Sequence, residues 1–173
     1  MRASAAETRR ASGLASGIDA AAHTATLDAG GRAVGVIGTG ITGYYPKENR
    51  ALQDRVVTEG LLISQFWPDA PPGKHTFPMR NTVISGYGRA TVVVEAGERS
   101  GARIQARRAV ARGRPVILTE LVVKANRWAQ DLVGQPGVHV AGSTAGVMEL
   151  VESISADPER IDAMFAPASD GWG

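Results

Sequence analysis

Five apolar runs limit this chain more than any other feature: AVGVIG (33–38), LLISQF (61–66), ATVVVEA (90–96), PVILT (115–119) and VHVAG (138–142). They are continuous rather than alternating, the pattern of strands covered on both faces in a parallel sheet. Helix-length stretches lie between them. Residues 17–30 carry Asp19 in the first turn and stop at Gly30-Gly31, 46–60 open on Pro46 and close on Gly60, and 100–113 run from a serine cap at Ser100 to Gly113. This alternation predicts βαβ units and a three-layer α/β fold with a mostly parallel sheet. The proline-rich WPDAPPGKHTFP (67–78) reads as a surface loop. Residues 1–11 are expected to be irregular, 12–155 to form one core, and 156–173 to be a tail holding a short helix.

Composition narrows the function classes. The 173 residues suit one domain, and the absence of cysteine removes disulfides, thiolate catalysis and cysteine-ligated zinc. That absence fits a reducing compartment, so a cytoplasmic location is the expectation. No apolar stretch approaches a membrane span, and MRASAAETRRAS at the N-terminus lacks the apolar segment of a secretory signal. Lys and Arg number 19 against 17 Asp and Glu, and all but Lys47, Lys74 and Lys124 are arginine. Arginine forks suit phosphate and carboxylate better than point charges do.

Candidate site residues cluster at the glycine turns. In SGLASGIDAAAH (12–23), Ser12, Gly13, Ser16 and Gly17 precede a helix start, where free amides form an anion site in principle. Asp19 either serves that site or simply stabilises the first helical turn, and His23, four residues on, reads more simply as a packed histidine than as a ligand. Gly38, Thr39 and Gly40 begin like a dinucleotide fingerprint, but Gly43 leads into Tyr44-Tyr45-Pro46 rather than a helix, so no NAD is inferred. Tyr44 and Tyr45 have rings that can stack on a base, and Asn49 can read a base edge or cap its loop.

In KHTFPMRNTVISGYG (74–88), Lys74, His75, Arg80 and Asn81 surround Phe77-Pro78. A helix starting near Pro78 places amides beside Arg80, an arrangement suited to phosphate. EAGERSGARIQA (95–106) puts Glu95 at a strand end, Ser100 and Gly101 at a helix start, and Arg99, Arg103 and Gln105 alongside. Ligands in α/β folds bind outside the carboxyl ends of the strands. A Glu95–Arg99 or Glu95–Arg103 ion pair fixing the turn is the simpler alternative. No nucleophile–base–acid set and no metal-ligand spacing emerges, so the inventory is one for holding an anion or nucleotide, without a cofactor.

In order and spacing, SGLASGIDAAAH, YYPKEN, FPMRNTVISG and VVVEAGERSGARIQA resemble the DNA-processing protein A (DprA, or Smf) family. The resemblance implies a Rossmann-like core that binds single-stranded DNA without catalysis, helps load the RecA recombinase in natural transformation, and dimerises. It implies a pocket from Ser12, Gly13, Gly17, Asp19, Tyr45, Asn49, Arg80, Asn81, Glu95, Ser100 and Gly101. The usual first βα unit, with its arginine turn, is expected to be missing, leaving Arg9 or Arg10 as substitutes, and a C-terminal winged-helix domain is absent from the expectation too. SGARIQA stands where SGSLITA is commoner. The alternative is a nucleotide-binding protein or phosphoribohydrolase of the related LOG-type superfamily, whose PGGxGTxxE turn has no counterpart in EAGERSGARIQA.

Overall fold

A computed structural model describes residues 9–156. Strand β1 (Arg9–Ser12) leads to α1 (Ile18–Asp28), β2 (Arg32–Val36), a 3-10 turn (Lys47–Asn49) running into α2 (Arg50–Glu59), and β3 (Leu61–Ile63). Helix α3 (Thr76–Tyr87) crosses to β4 (Thr91–Val93), followed by α4 (Gly101–Ala111), β5 (Val116–Thr119), the short α5 (Glu120–Ala125) and α6 (Arg127–Gln130), β6 (Val138–Ala141) and α7 (Thr144–Ser155). Every strand pairing is parallel. The α/β class and the parallel strands agree with the sequence. The expected tail helix falls outside the described residues.

Two differences stand out. Residues 9–11, expected to be irregular, are strand: Arg9 to Ser12 pair with Arg32 to Gly35. Polar side chains do not prevent this, because a ladder is made by backbone amides and carbonyls, and Ala11 supplies the apolar contact to Val34, Val36 and Ile84. Second, the strands form two three-stranded ladders, β1-β2-β3 and β4-β5-β6, rather than one sheet.

Helix α3 joins the two halves. Arg80 reaches the carbonyls of Gly13 and Val36 in the first, while Asn81 Nδ2 donates to the Gly101 carbonyl in the second at 3.3 Å. Arg112 Nη1 returns from the end of α4 to the Thr82 carbonyl at 2.7 Å and Ser85 Oγ at 2.8 Å. Each half has its own core. Leu14, Leu27, Ala33, Ile37 and Val56 pack in the first, and Val93, Val116, Leu118, Trp128 and Leu132 pack with Ala106 and Ala109 of α4 in the second. Alanine at those two positions lets α4 lie close on its strands. Each large side chain buried this way contributes about 1.5–3 kcal/mol before chain entropy is counted.

Candidate nucleic-acid interface

The loop from β1 to α1 is pinned around one peptide unit. Gly13 N–H donates to Asp19 Oδ2 at 3.0 Å, and its carbonyl accepts from Arg80 Nη1. A Cβ at position 13 would lie 2.0 Å from Arg80 Nη1, so glycine here is a condition for the arginine's approach. Ala15 N–H also donates to Asp19, and Asn49 Nδ2 donates to the Leu14 carbonyl at 2.9 Å. Leu14 itself sits at φ 57, a left-handed backbone held by these bonds. Gly17, at φ 88, opens α1 with no side-chain cap; of the first-turn amides, that of Ala20 donates to the Ala15 carbonyl at 3.2 Å.

Arg80 is buried, with 7% of its surface exposed. Nη1 serves the carbonyls of Gly13 and, at 3.0 Å, Val36; Nε donates to Asn81 Oδ1 at 2.9 Å. Burial lowers its pKa from the usual arginine value, and the Asp19 carboxylate partly offsets this by favouring the charge. Its guanidinium still lines a cleft of about 370 Å³ with Gly13, Ser16, Gly38, Tyr45, Glu48 and Phe77. Tyr45 is half exposed, and its ring lies 5.1 Å from that of Phe77 at a tilt of 39°. Gly38 leaves room for Phe77, whose ring a Cβ there would meet at 2.8 Å. Ser16 Oγ donates to Glu48 Oε1 at 2.8 Å, and Glu48's pKa is lowered by its own backbone amide and by this serine.

Of the residues singled out in the sequence, Gly13, Ser16, Gly38, Tyr45, Phe77 and Arg80 line the cleft. Gly17, Asp19, Asn49 and Asn81 hold its walls. Ser12 Oγ and Thr39 Oγ1 are buried without a hydrogen-bond partner, and Gly40 packs against the carbonyls of Trp67 and Pro68. Lys74 is exposed just ahead of α3. Tyr44 is occupied elsewhere: its hydroxyl donates to Asp54 at 2.7 Å and Arg50 lies over its ring at 4.6 Å. That bond to Asp54 raises its pKa. His23 is a packed core histidine, as the simpler reading had it.

In the second half, Ser100 caps α4 by accepting from Ala102 N–H at 3.2 Å, and Gly101 receives Asn81. Glu95 and Arg99 are exposed and Arg103 is partly buried, and none of the ion pairs among the described residues involves Glu95. The Glu95–Arg99 or Glu95–Arg103 clamp is therefore not made. The acid that fixes this region is Glu98, which accepts from the Arg127 amide. Helix α3 starts at Thr76, two residues before the expected Pro78, because Thr76 Oγ1 donates to the Gly73 carbonyl at 2.8 Å and anchors the turn. Sequence reasoning passed over Glu48 as a lining residue, although YYPKEN places it beside Asn49. It also passed over the exposed Trp67.

Comparison with known proteins places these residues in context. DNA processing protein DprA of Streptococcus pneumoniae is 48% identical over 105 residues, covering 61% of this chain and 37% of that protein. Its Bacillus subtilis counterpart is 45% identical over 105 residues, covering 61% of this chain and 35% of its own length. The chain thus spans about a third of these curated relatives. The X-ray structure of the S. pneumoniae protein superposes with a TM-score of 0.70 at 37% identity, over 86% of this chain and 52% of that one. A Helicobacter pylori DNA processing protein A, solved to describe its single-stranded DNA binding mode, shares the fold with a TM-score of 0.71 at 19% identity, over 83% of this chain and 65% of that one. The family described as DNA recombination-mediator protein A matches residues 3–152, and the chain belongs to it.

Proposed function

We propose that this chain binds single-stranded DNA in the cleft between the β1–α1 loop and the start of α3, and does so without catalysis. The observation that carries the reading is the cleft itself: the Tyr45–Phe77 pair faces the buried Arg80 guanidinium and adjoins the uncapped start of α1. Aromatic faces stack on any base, and amides with a fixed arginine suit the phosphate between bases. Asp19, Asn49 and Asn81 act as positioning residues, and Lys74, Arg99 and Arg103 extend the positive charge to either side. Glu48, the carboxylate in the cleft, is engaged by Ser16 rather than set against a base.

The same reading extends to recombination: the bound strand is handed to the RecA recombinase during DNA uptake, and the chain works as a homodimer. Family membership supports this. A labelled oligonucleotide titrated with wild type, Phe77→Ala and Tyr45→Ala tests the cleft. Each truncation is expected to weaken binding by about 1–3 kcal/mol. Full affinity in both variants contradicts the assignment. Faster RecA filament growth on coated single strands, and sedimentation as a dimer, are the results expected of the wider reading.

A further inference from the structure

Trp67 is 83% exposed, the most of any large apolar side chain among the described residues, ahead of Leu121 at 75%. It is nevertheless held on a rigid support. Its carbonyl accepts from Ala70 N–H at 3.0 Å, and the neighbouring Pro68 carbonyl accepts from both Thr42 N–H at 3.0 Å and Thr42 Oγ1 at 2.6 Å. Gly40 N–H donates to the Ala70 carbonyl at 2.8 Å, and Ser64 Oγ donates to the Thr39 carbonyl at 2.6 Å. A Cβ on Gly40 would lie 2.3 Å from the Trp67 carbonyl, so the loop sits directly on the backbone that follows β2. An indole presented by a fixed backbone loses little entropy on contact, since only its two side-chain torsions remain to be set.

We infer that Trp67 is a second stacking platform, holding a base of the single strand as it leaves the cleft. This rests on the reading of the cleft as a DNA site. Continuity along the chain supports it: Gly38 abuts the Phe77 ring in the cleft, and two residues later Gly40 abuts the main-chain carbonyls of Trp67 and Pro68, which anchor the loop that carries the indole. Charge supports it as well. The loop ends in exposed Lys74 and His75 against a single acid, Asp69, so a phosphate chain is favoured along it over an acidic protein surface. Beside the indole, Gln65, Phe66 and Ala70 line an open groove of about 510 Å³ that can take the stacked base. Stacking on an indole face tolerates any base, so the site adds affinity without sequence preference.

The test uses the full chain with oligonucleotides of about 4 and about 16 nucleotides, the range of site sizes for stacking grooves. Binding and tryptophan emission are followed in wild type, Trp67→Phe and Trp67→Ala. The other two tryptophans, Trp128 and Trp172, are common to wild type and Trp67→Phe, so the difference between the two isolates the signal of Trp67. The long oligonucleotide is expected to quench wild type. The quench should shrink in Trp67→Phe while its affinity stays close to wild type. Trp67→Ala should bind the long oligonucleotide about five- to a hundredfold more weakly, bind the short one unchanged, and keep the same salt dependence. If wild type binds DNA but Trp67→Ala binds the long strand equally well, the indole serves some other partner and the inference fails while the cleft stands. A weakened salt dependence in Trp67→Ala also overturns it. If wild type binds neither oligonucleotide, both readings fail.

Discussion

At the scale of single residues, the account turns on the peptide of Gly13, gripped by Asp19 on one side and Arg80 on the other. Arg80→Ala strands the carbonyls of Gly13 and Val36 in a buried site, each costing about 1–3 kcal/mol. Denaturant unfolding should report that loss alongside weaker DNA binding. Gly13→Ala should be comparably damaging, because its methyl would displace the guanidinium. His23 gives a different signal. Its ring is buried, and burial lowers its pKa from 6.5, with Asp19 and the Ser12 backbone acting in the opposite sense. Below pH 6.5 the unfolded chain takes up a proton that the folded chain resists, so stability falls with acidity until the lowered folded pKa is passed. Melting temperature between pH 7.5 and 5.5 checks this. A His23→Leu variant is expected to flatten the curve in that window, since the shifted Glu48 and Glu120 titrate near or below 4.5.

At the scale of elements, Ser100 is the clearest case. It caps α4 and stands at the junction with α3, so Ser100→Ala should cost about 0.5–2 kcal/mol by thermal or denaturant unfolding. Much of this level was legible in the sequence. Continuous apolar runs marked β2 to β6 to within a few residues, and glycine stops marked the ends of α1, α2 and α4. Helix α7 was legible too but went unread: Val147, Leu150, Val151 and Ile154 recur at helical spacing behind the cap Ser143. Strand β1 was not legible, because RRAS carries no apolar pattern and is specified by the neighbouring β2 backbone. For the site, residue types indicated which segments matter but not how they divide the work. Only three dimensions separate Tyr45, open in the cleft, from Tyr44, held by Asp54 and Arg50. Likewise, local spacing made Glu95 the obvious partner for arginines, whereas the fold assigns the anchoring bond to Glu98.

At the scale of the whole molecule, two parallel half-sheets are joined by α3, and the helix that joins them also carries Phe77 and Arg80 to the cleft. Binding a strand there should therefore tighten the contact between the halves. Bound oligonucleotide is expected to raise the melting temperature, and to go on raising it with the logarithm of free oligonucleotide concentration above the dissociation constant, as any ligand of the folded state does. The central claim is that the cleft takes a single strand through stacking and a few phosphate contacts. The most direct measurement is a titration of a labelled single strand and the matching duplex at two salt concentrations. The account predicts tighter binding to the single strand, with log K falling against log salt by about 0.7 for each phosphate neutralised. Equal affinity for the duplex, or no binding at the lower salt, would contradict it.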